Sequence, residues 1–317
     1  LDVDDGGDGG LVWWKNRDTV AWHQLHDSIR GAGNRLFSND TSATQYDAQS
    51  IKSFDSNGFT IGTSSDFTGD CVAWVWKSGG EAVNIGVNSI TGSTPSIASD
   101  VSASTEAGFS IVKYTGNATA GATVGHGLDN PPEMIIIKNL DNTVAARNWA
   151  VYHSGVDTNP ENFFLRLNTT SAKLDFPIWN DTAPNADVFT LGDTTQAGEA
   201  NDNNNDHIAY CFHSVAGYSK IGSYTGNLSG VSVTTGFNPS FVMIKRSDST
   251  GNWFIYDSAR SNGDTFDDFL HPNLSAAETT NNSTFEINAT ATGFNVVGAG
   301  DGQTNASGGT FIYMAFK

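Results

Sequence analysis

The stretch Val12-Trp13-Trp14-Lys15-Asn16-Arg17-Asp18 returns in altered form as Ile135-Ile136-Ile137-Lys138-Asn139-Leu140-Asp141 and again as Val242-Met243-Ile244-Lys245-Arg246-Ser247-Asp248. Each is an apolar run, then Lys, then Asp three positions on. The lysines lie 123 and 107 residues apart, and self-similarity at a long period is the mark of a repeated structural unit. The same register continues downstream. His23, Trp149 and Trp253 correspond. So do Leu36-Phe37-Ser38-Asn39, Leu165-Arg166-Leu167-Asn168 and the third member spanning Leu270 and Asn273 to Ala277. A Phe-centred strand follows at Gly58 to Gly62, Val188 to Gly192 and Gly293 to Gly298. A closing aromatic strand then ends each copy at Val72 to Lys77, Ile208 to His213 and Ile312 to Lys317.

Large side chains alternate along the closing aromatic strand, which is the period of a strand with one face on a core. Together with abundant Gly, Ser, Thr, Asn and Asp, they predict an all-β protein of three tandem, diverged antiparallel β-sandwich repeats with a jelly-roll-like character. The expected divisions are repeat 1 over 1–87, a linker loop over 88–106, repeat 2 over 107–216 and repeat 3 over 217–317. Copies two and three open with Ile111-Val112-Lys113-Tyr114-Thr115-Gly116-Asn117 and Ile221-Gly222-Ser223-Tyr224-Thr225-Gly226-Asn227. Copy one has no such strand, which places the missing one upstream in a parent polypeptide. The segment Gln24 to Leu36 has room for one helical turn.

Composition narrows the partners. Sixteen Lys and Arg stand against 34 Asp and Glu, a net charge of −18, and such a field repels nucleic-acid phosphates and anionic headgroups. The sequence has no apolar run long enough to span a bilayer, so neither nucleic acid nor membrane insertion is expected. Cys71 and Cys211 are too few for a disulfide framework and fall at non-equivalent positions, so both read as buried thiols.

Candidate chemistry is sparse. Asp27 with Arg30, and Asp257 with Arg260, could receive a sugar hydroxyl or a carboxylate, although a bidentate pair of this kind more often fixes a turn. The Lys at 15, 138 and 245 ends a strand and is expected to bury its stem and expose its head. Trp22 sits beside the repeat's aromatic position and could stack on a sugar ring. Asp2, Asp4, Asp5 and Asp8 offer oxygen ligands for Ca²⁺ among glycines, without the spacing or distal Glu of an EF-hand. The Asn201 to Asp206 tract is similarly oxygen-rich and reads as a solvated loop. No zinc, nucleophile-elbow or phosphate-loop pattern occurs, and no catalytic residue or cofactor is assigned.

The Trp-Trp-Lys-Asn-Arg-Asp run, Asp27-Ser28-Ile29-Arg30-Gly31, Ala73-Trp74-Val75-Trp76-Lys77 and the Tyr-Thr-Gly-Asn strands together resemble a repeat of virion structural proteins from marine tailed bacteriophages. Such proteins are described as tail-fibre-like or as carrying lectin-like sandwich domains. The resemblance implies a location on the virion or outside cells, other virion proteins as partners, self-association with a trimer favoured, and possible contact with host-surface glycans. It implies no enzyme. The rival readings are a polysaccharide depolymerase, with carboxylates in a groove between units, and a cellular surface adhesin.

Overall fold

In the computed structural model, which describes residues 9–141, 146–193, 199–261, 263–297 and 302–317, each apolar run forms an interior strand of its own antiparallel sheet. The chain begins β1 (Gly10–Asn16), β2 (Gln24–Asp27), β3 (Asn34–Phe37), β4 (Gln45–Tyr46), β5 (Ile51–Asp55), β6 (Gly58–Ile61) and β7 (Cys71–Lys77). It continues through β8 (Val83–Ile85), β9 (Ser99–Ser104), β10 (Phe109–Thr115), β11 (Ala122–Gly125), β12 (Met134–Asn139), β13 (Ala150–His153), β14 (Phe163–Arg166), β15 (Leu174–Asp175), β16 (Val188–Leu191) and β17 (Asp206–Phe212). The last part holds β18 (Ser219–Thr225), β19 (Val231–Thr234), β20 (Phe241–Arg246), β21 (Trp253–Asp257), β22 (Thr265–Phe266), β23 (Ile287–Thr290), β24 (Gly293–Val296) and β25 (Thr310–Phe316).

The three main sheets are ordered β4-β3-β2-β1-β7, β15-β14-β13-β12-β17-β10-β9-β8 and β18-β25-β20-β21. In each, the apolar run lies between the strand that follows it and the closing aromatic strand. The registers correspond: Trp13 faces Trp74, Ile136 faces Tyr210, and Met243 faces Met314.

Alternation then assigns the two faces of each sheet. One face carries Leu11 and Trp13, Met134 and Ile136, Phe241 and Met243, and all six belong to a single core shared by the three sheets. At its middle, Trp76, Phe212 and Phe316, the corresponding residues of the three closing strands, touch pairwise with ring centroids 5.8 to 6.2 Å apart. The opposite faces are covered separately. Phe59 and Phe67 lie on Trp14 beside the β5-β6 hairpin. The β11-β16 pair closes the second sandwich, and the β19-β24-β23-β22 sheet closes the third. The protein is thus nearly all β and built as antiparallel sandwiches.

Three backbone hydrogen bonds join the sheets in a closed ring. Thr44 N donates to Leu140 O (2.9 Å), Lys173 N to Ser247 O (2.8 Å) and Glu278 N to Arg17 O (2.9 Å). Donors and acceptors occupy corresponding places, so sheet one binds two, two binds three and three binds one. Indole groups repeat the pattern: Trp149 Nε1 donates to Phe37 O (2.9 Å) and Trp253 Nε1 to Arg166 O (3.1 Å). His23 stands at the third such position, and its Nδ1 accepts from Trp13 Nε1.

Several expectations are corrected. Residues 88–106, read as a linker loop, contain β9, which pairs along β10 and carries β8 on its far side, so Val83–Ile85 joins the second sheet rather than the first. A Ser-rich strand is stable there because its buried hydroxyls are satisfied: Ser99 Oγ donates to Gly125 O and Ser102 Oγ to Gly80 O. The helical turn allowed within Gln24 to Leu36 is instead β2, a turn and the start of β3. Cys71 is only half buried, while Cys211 is fully buried, and both are free. The Asn201 to Asp206 tract is not a solvated loop, since Asn201, Asp202 and Asn205 are buried. Asn201 Oδ1 accepts from Asn117 N, just as Asn305 Oδ1 accepts from Asn227 N. The Tyr-Thr-Gly-Asn motif follows from this clamp. Tyr114 and Tyr224 hydroxyls anchor on Ala200 O and Thr304 O. A Cβ on Gly116 or Gly226 would lie 2.3 or 2.2 Å from the carbonyl oxygen of Asp202 or Ala306.

Candidate functional site

The two Asp-Arg pairs sit where β2 and β21 end and the chain turns. Asp27 Oδ1 accepts from Arg30 N (2.8 Å), and its Oδ2 accepts from Arg30 Nε (2.5 Å). Asp257 Oδ1 accepts from Ala259 N and Arg260 N, and its Oδ2 from Arg260 Nε (2.6 Å). Each guanidinium then returns to its own strand, Arg30 Nη2 to Leu25 O and Arg260 Nη2 to Ile255 O. One carboxylate therefore organises the turn and holds the cation that ties it to the strand.

Each carboxylate also receives a donor from another sheet. Tyr210 Oη donates to Asp27 Oδ2 (2.8 Å), and Trp74 Nε1 donates to Asp257 Oδ2 (2.9 Å). Tyr210 and Trp74 are corresponding residues of β17 and β7. Side chains of all four ion-pair residues are at most 7% exposed. These groups face the junctions between sheets and leave little surface for a ligand.

At the third junction the pair is replaced on both sides. His153 takes the Asp position, and Met314, which has no donor, takes the place of Trp74 and Tyr210. The imidazole reproduces the turn: Nδ1 accepts from Gly155 N (3.0 Å) and Nε2 donates to Tyr313 O (3.2 Å). That pattern needs the neutral ring, and burial accordingly pulls its pKa down to about 4.

The lysines that end the apolar runs are buried to their heads, contrary to the expected exposure, because each bends over its strand end to reach carbonyls. Lys15 Nζ donates to Asn16 O, Lys138 Nζ to Asn139 O and Thr41 O, and Lys245 Nζ to Arg246 O. Desolvation lowers their pKa values to about 8, 8 and 7.

Trp22 differs from all of these. Its counterparts, Asn148 and Asn252, accept amide hydrogens from Asn168 and Asn273 and so belong to the structural pattern. Trp22 is 44% exposed and rests edge-on against Phe37, with ring centroids 4.6 Å apart. Arg35 covers the Phe37 ring at 5.4 Å. The indole thus presents an apolar face to solvent on a packed support.

Sequence reading missed Glu278, which joins Arg17 (Oε2 to Nη2, 2.7 Å) and Arg260 (Oε1 to Nη1, 2.5 Å) at the corner between sheets three and one. At the corresponding corner between sheets one and two stand Thr44 and Leu140. Asp2, Asp4, Asp5 and Asp8 lie outside the described residues. Among the described residues no cluster of three or more His, Cys, Asp or Glu side chains could hold a metal ion, and no helix is long and apolar enough to cross a membrane.

The sequence profile described as "Domain of unknown function (DUF7483)" matches residues 5–317. No curated protein and no solved structure matches.

Proposed function

The chain belongs to the DUF7483 family, and from its architecture we propose that it is a virion structural protein, a tail-fibre or surface-decoration element of three diverged copies of one sandwich unit. The single observation that carries this reading is the ring of three corresponding hydrogen bonds, closed around one shared core. Sheets locked this way cannot hinge at their junctions without exposing that core, which suits a stiff platform rather than a closing cleft.

The buried chemistry supports the same reading. Asp27, Arg30, Asp257 and Arg260 hold turns and junctions together, and the excess of acidic residues favours solubility outside cells. Trp22, outside the structural pattern and half exposed, is the residue from which contact with a host-surface glycan would begin.

Incubation with host surface polysaccharide followed by sizing of the product, alongside retention on a glycan array, tests the proposal. Retention without chain shortening is the expected outcome. Shortening of the polysaccharide that disappears on replacing one acidic pair would overturn it in favour of a depolymerase.

A further inference from the structure

The three sheets differ at one edge. β17 and β25 each carry an opening strand, β10 and β18, paired over seven residues on the side away from the apolar run. β7 carries none among the described residues. Beside it lies a groove of about 560 Å³, lined by Val72 to Trp76 on one wall and by Tyr218, Phe241, Ser258 and Ala259 on the other.

The far wall shows what fits. After β13, Gly155 stands so close to β18 that an added Cβ would lie 3.0 Å from the Ser223 side chain. Ala259 holds the corresponding place after β21, and it faces the groove instead of a strand. The groove thus has the walls of an opening-strand site, and along one of them the edge at Val72 to Trp76 pairs with no strand among the described residues.

We propose that this groove takes an extended β-strand contributed from outside residues 1–317, which completes the first sheet by antiparallel addition to β7. The link from such a strand to β1 is long. An added strand running antiparallel to β7 ends beside Cys71, whereas β1 starts opposite Lys77. The return along seven residues of β7 covers about 23 Å at roughly 3.3 Å per residue, which consumes a segment of that length before any pairing begins.

The other two sheets fix the register and chemistry of the occupant. Ile111 and Ile221 lie opposite Tyr210 and Met314, so an Ile belongs opposite Trp74. Tyr114 and Tyr224 lie opposite His207 and Phe311 and stack on them at 5.1 and 5.0 Å. The matching residue of β7 is Cys71, so a Tyr belongs there, three positions after the Ile. Both known opening strands follow that Ile-x-x-Tyr-Thr-Gly-Asn spacing.

Cys71 reports occupancy, because the other thiol, Cys211, is buried and pushed up to about 12 by desolvation. A nine-residue peptide with the sequence Phe109 to Asn117 is added to the purified chain, and alkylation of Cys71 by iodoacetamide is followed by mass spectrometry. Saturable slowing by tenfold or more is expected, together with loss of protection in an Ala259→Arg variant of unchanged melting temperature. An unaltered rate at millimolar peptide overturns the proposal, as does equal protection by a peptide carrying Asp in place of the Ile. A chain that is already dimeric with Cys71 protected before peptide is added replaces the outside strand by a second copy. None of these outcomes depends on glycan retention, so this proposal and the adhesive reading fail separately.

Discussion

The junction built on Asp257 and the one built on His153 solve the same problem with opposite chemistry. At the first, a buried carboxylate, a buried guanidinium and an indole donor from β7 neutralise and satisfy one another. At the second, a neutral imidazole shapes the turn, and Met314 asks for nothing. The lesson is that the ionic cluster changes as a set. Asp loses its Arg and its cross-sheet donor together, because any member left alone would be a buried polar group without a partner.

Removing one member is therefore the strongest way to break the comparison. Asp27→Ala strands the Arg30 guanidinium, whose other contacts are Leu25 O and Tyr210 Oη, and should cost about 3–5 kcal/mol in chemical denaturation. Asp257→Ala should cost less, since Glu278 still pairs with Arg260. Equal losses at the two sites would show that Glu278 contributes nothing to the corner.

Acid separates the two chemistries next. His153 has a folded pKa of about 4 against an ordinary value of 6.5, so the unfolded chain binds more protons between those values. Its contribution is complete above pH 6.5 and is lost as pH falls through 6.5 toward 4. His126 and His207, also lowered to about 4 by burial, add to the same slope. His153→Gln keeps an acceptor for Gly155 N and a donor for Tyr313 O without the titration. Between pH 6.5 and 5 it should flatten the stability loss by about 2 kcal/mol, measured as denaturation midpoints across that range. An unchanged slope would mean that the ring is not held neutral by its burial.

Much of this was legible in the sequence, and what was not has a common cause. The continuous apolar runs, the Phe-centred segments and the alternating closing aromatic segments are all visible in the sequence, and all are strands. The correspondence of His23, Trp149 and Trp253 was also visible, and a side-chain amide Oδ1 accepts from the backbone N of each one, at Asn39, Asn168 and Asn273. What the alternation could not carry was the pairing of Trp74 with Asp257 and of Tyr210 with Asp27, each spanning 183 residues. β9 escaped because Ser99 and Ser102 are buried through hydroxyl bonds rather than by apolar character. The lysine heads escaped because their acceptors are carbonyls of the folded turns.

A smaller change sharpens the comparison from the donor side. Tyr210→Phe removes the hydroxyl that reaches Asp27 and should cost about 1–2 kcal/mol. In an Asp27→Asn, Arg30→Met background the same substitution should cost distinctly less, because contacting residues couple and their effects do not add. Additive effects in that double-mutant cycle would mean that the donor and the ion pair stabilise the junction independently, and that the joint replacement at His153 and Met314 is coincidence rather than coupling.

The smallest expected change in stability falls at the residue of most functional interest. Trp22 occupies the place where the other two sheets have Asn148 and Asn252, each engaged with a second Asn, and it has left that pattern for a contact with the Phe37 ring. The ring stays 44% exposed and makes no buried polar contact among the described residues, so Trp22→Ala should shift stability by only about 1 kcal/mol, the ordinary cost of a point substitution. If the indole is a glycan platform, the same variant should lose most retention on a glycan array, while Trp22→Tyr, which keeps a stacking face, should retain part of it. A marked fall in stability with retention unchanged would return Trp22 to the packing of the first sheet and remove the basis for proposing a glycan contact there.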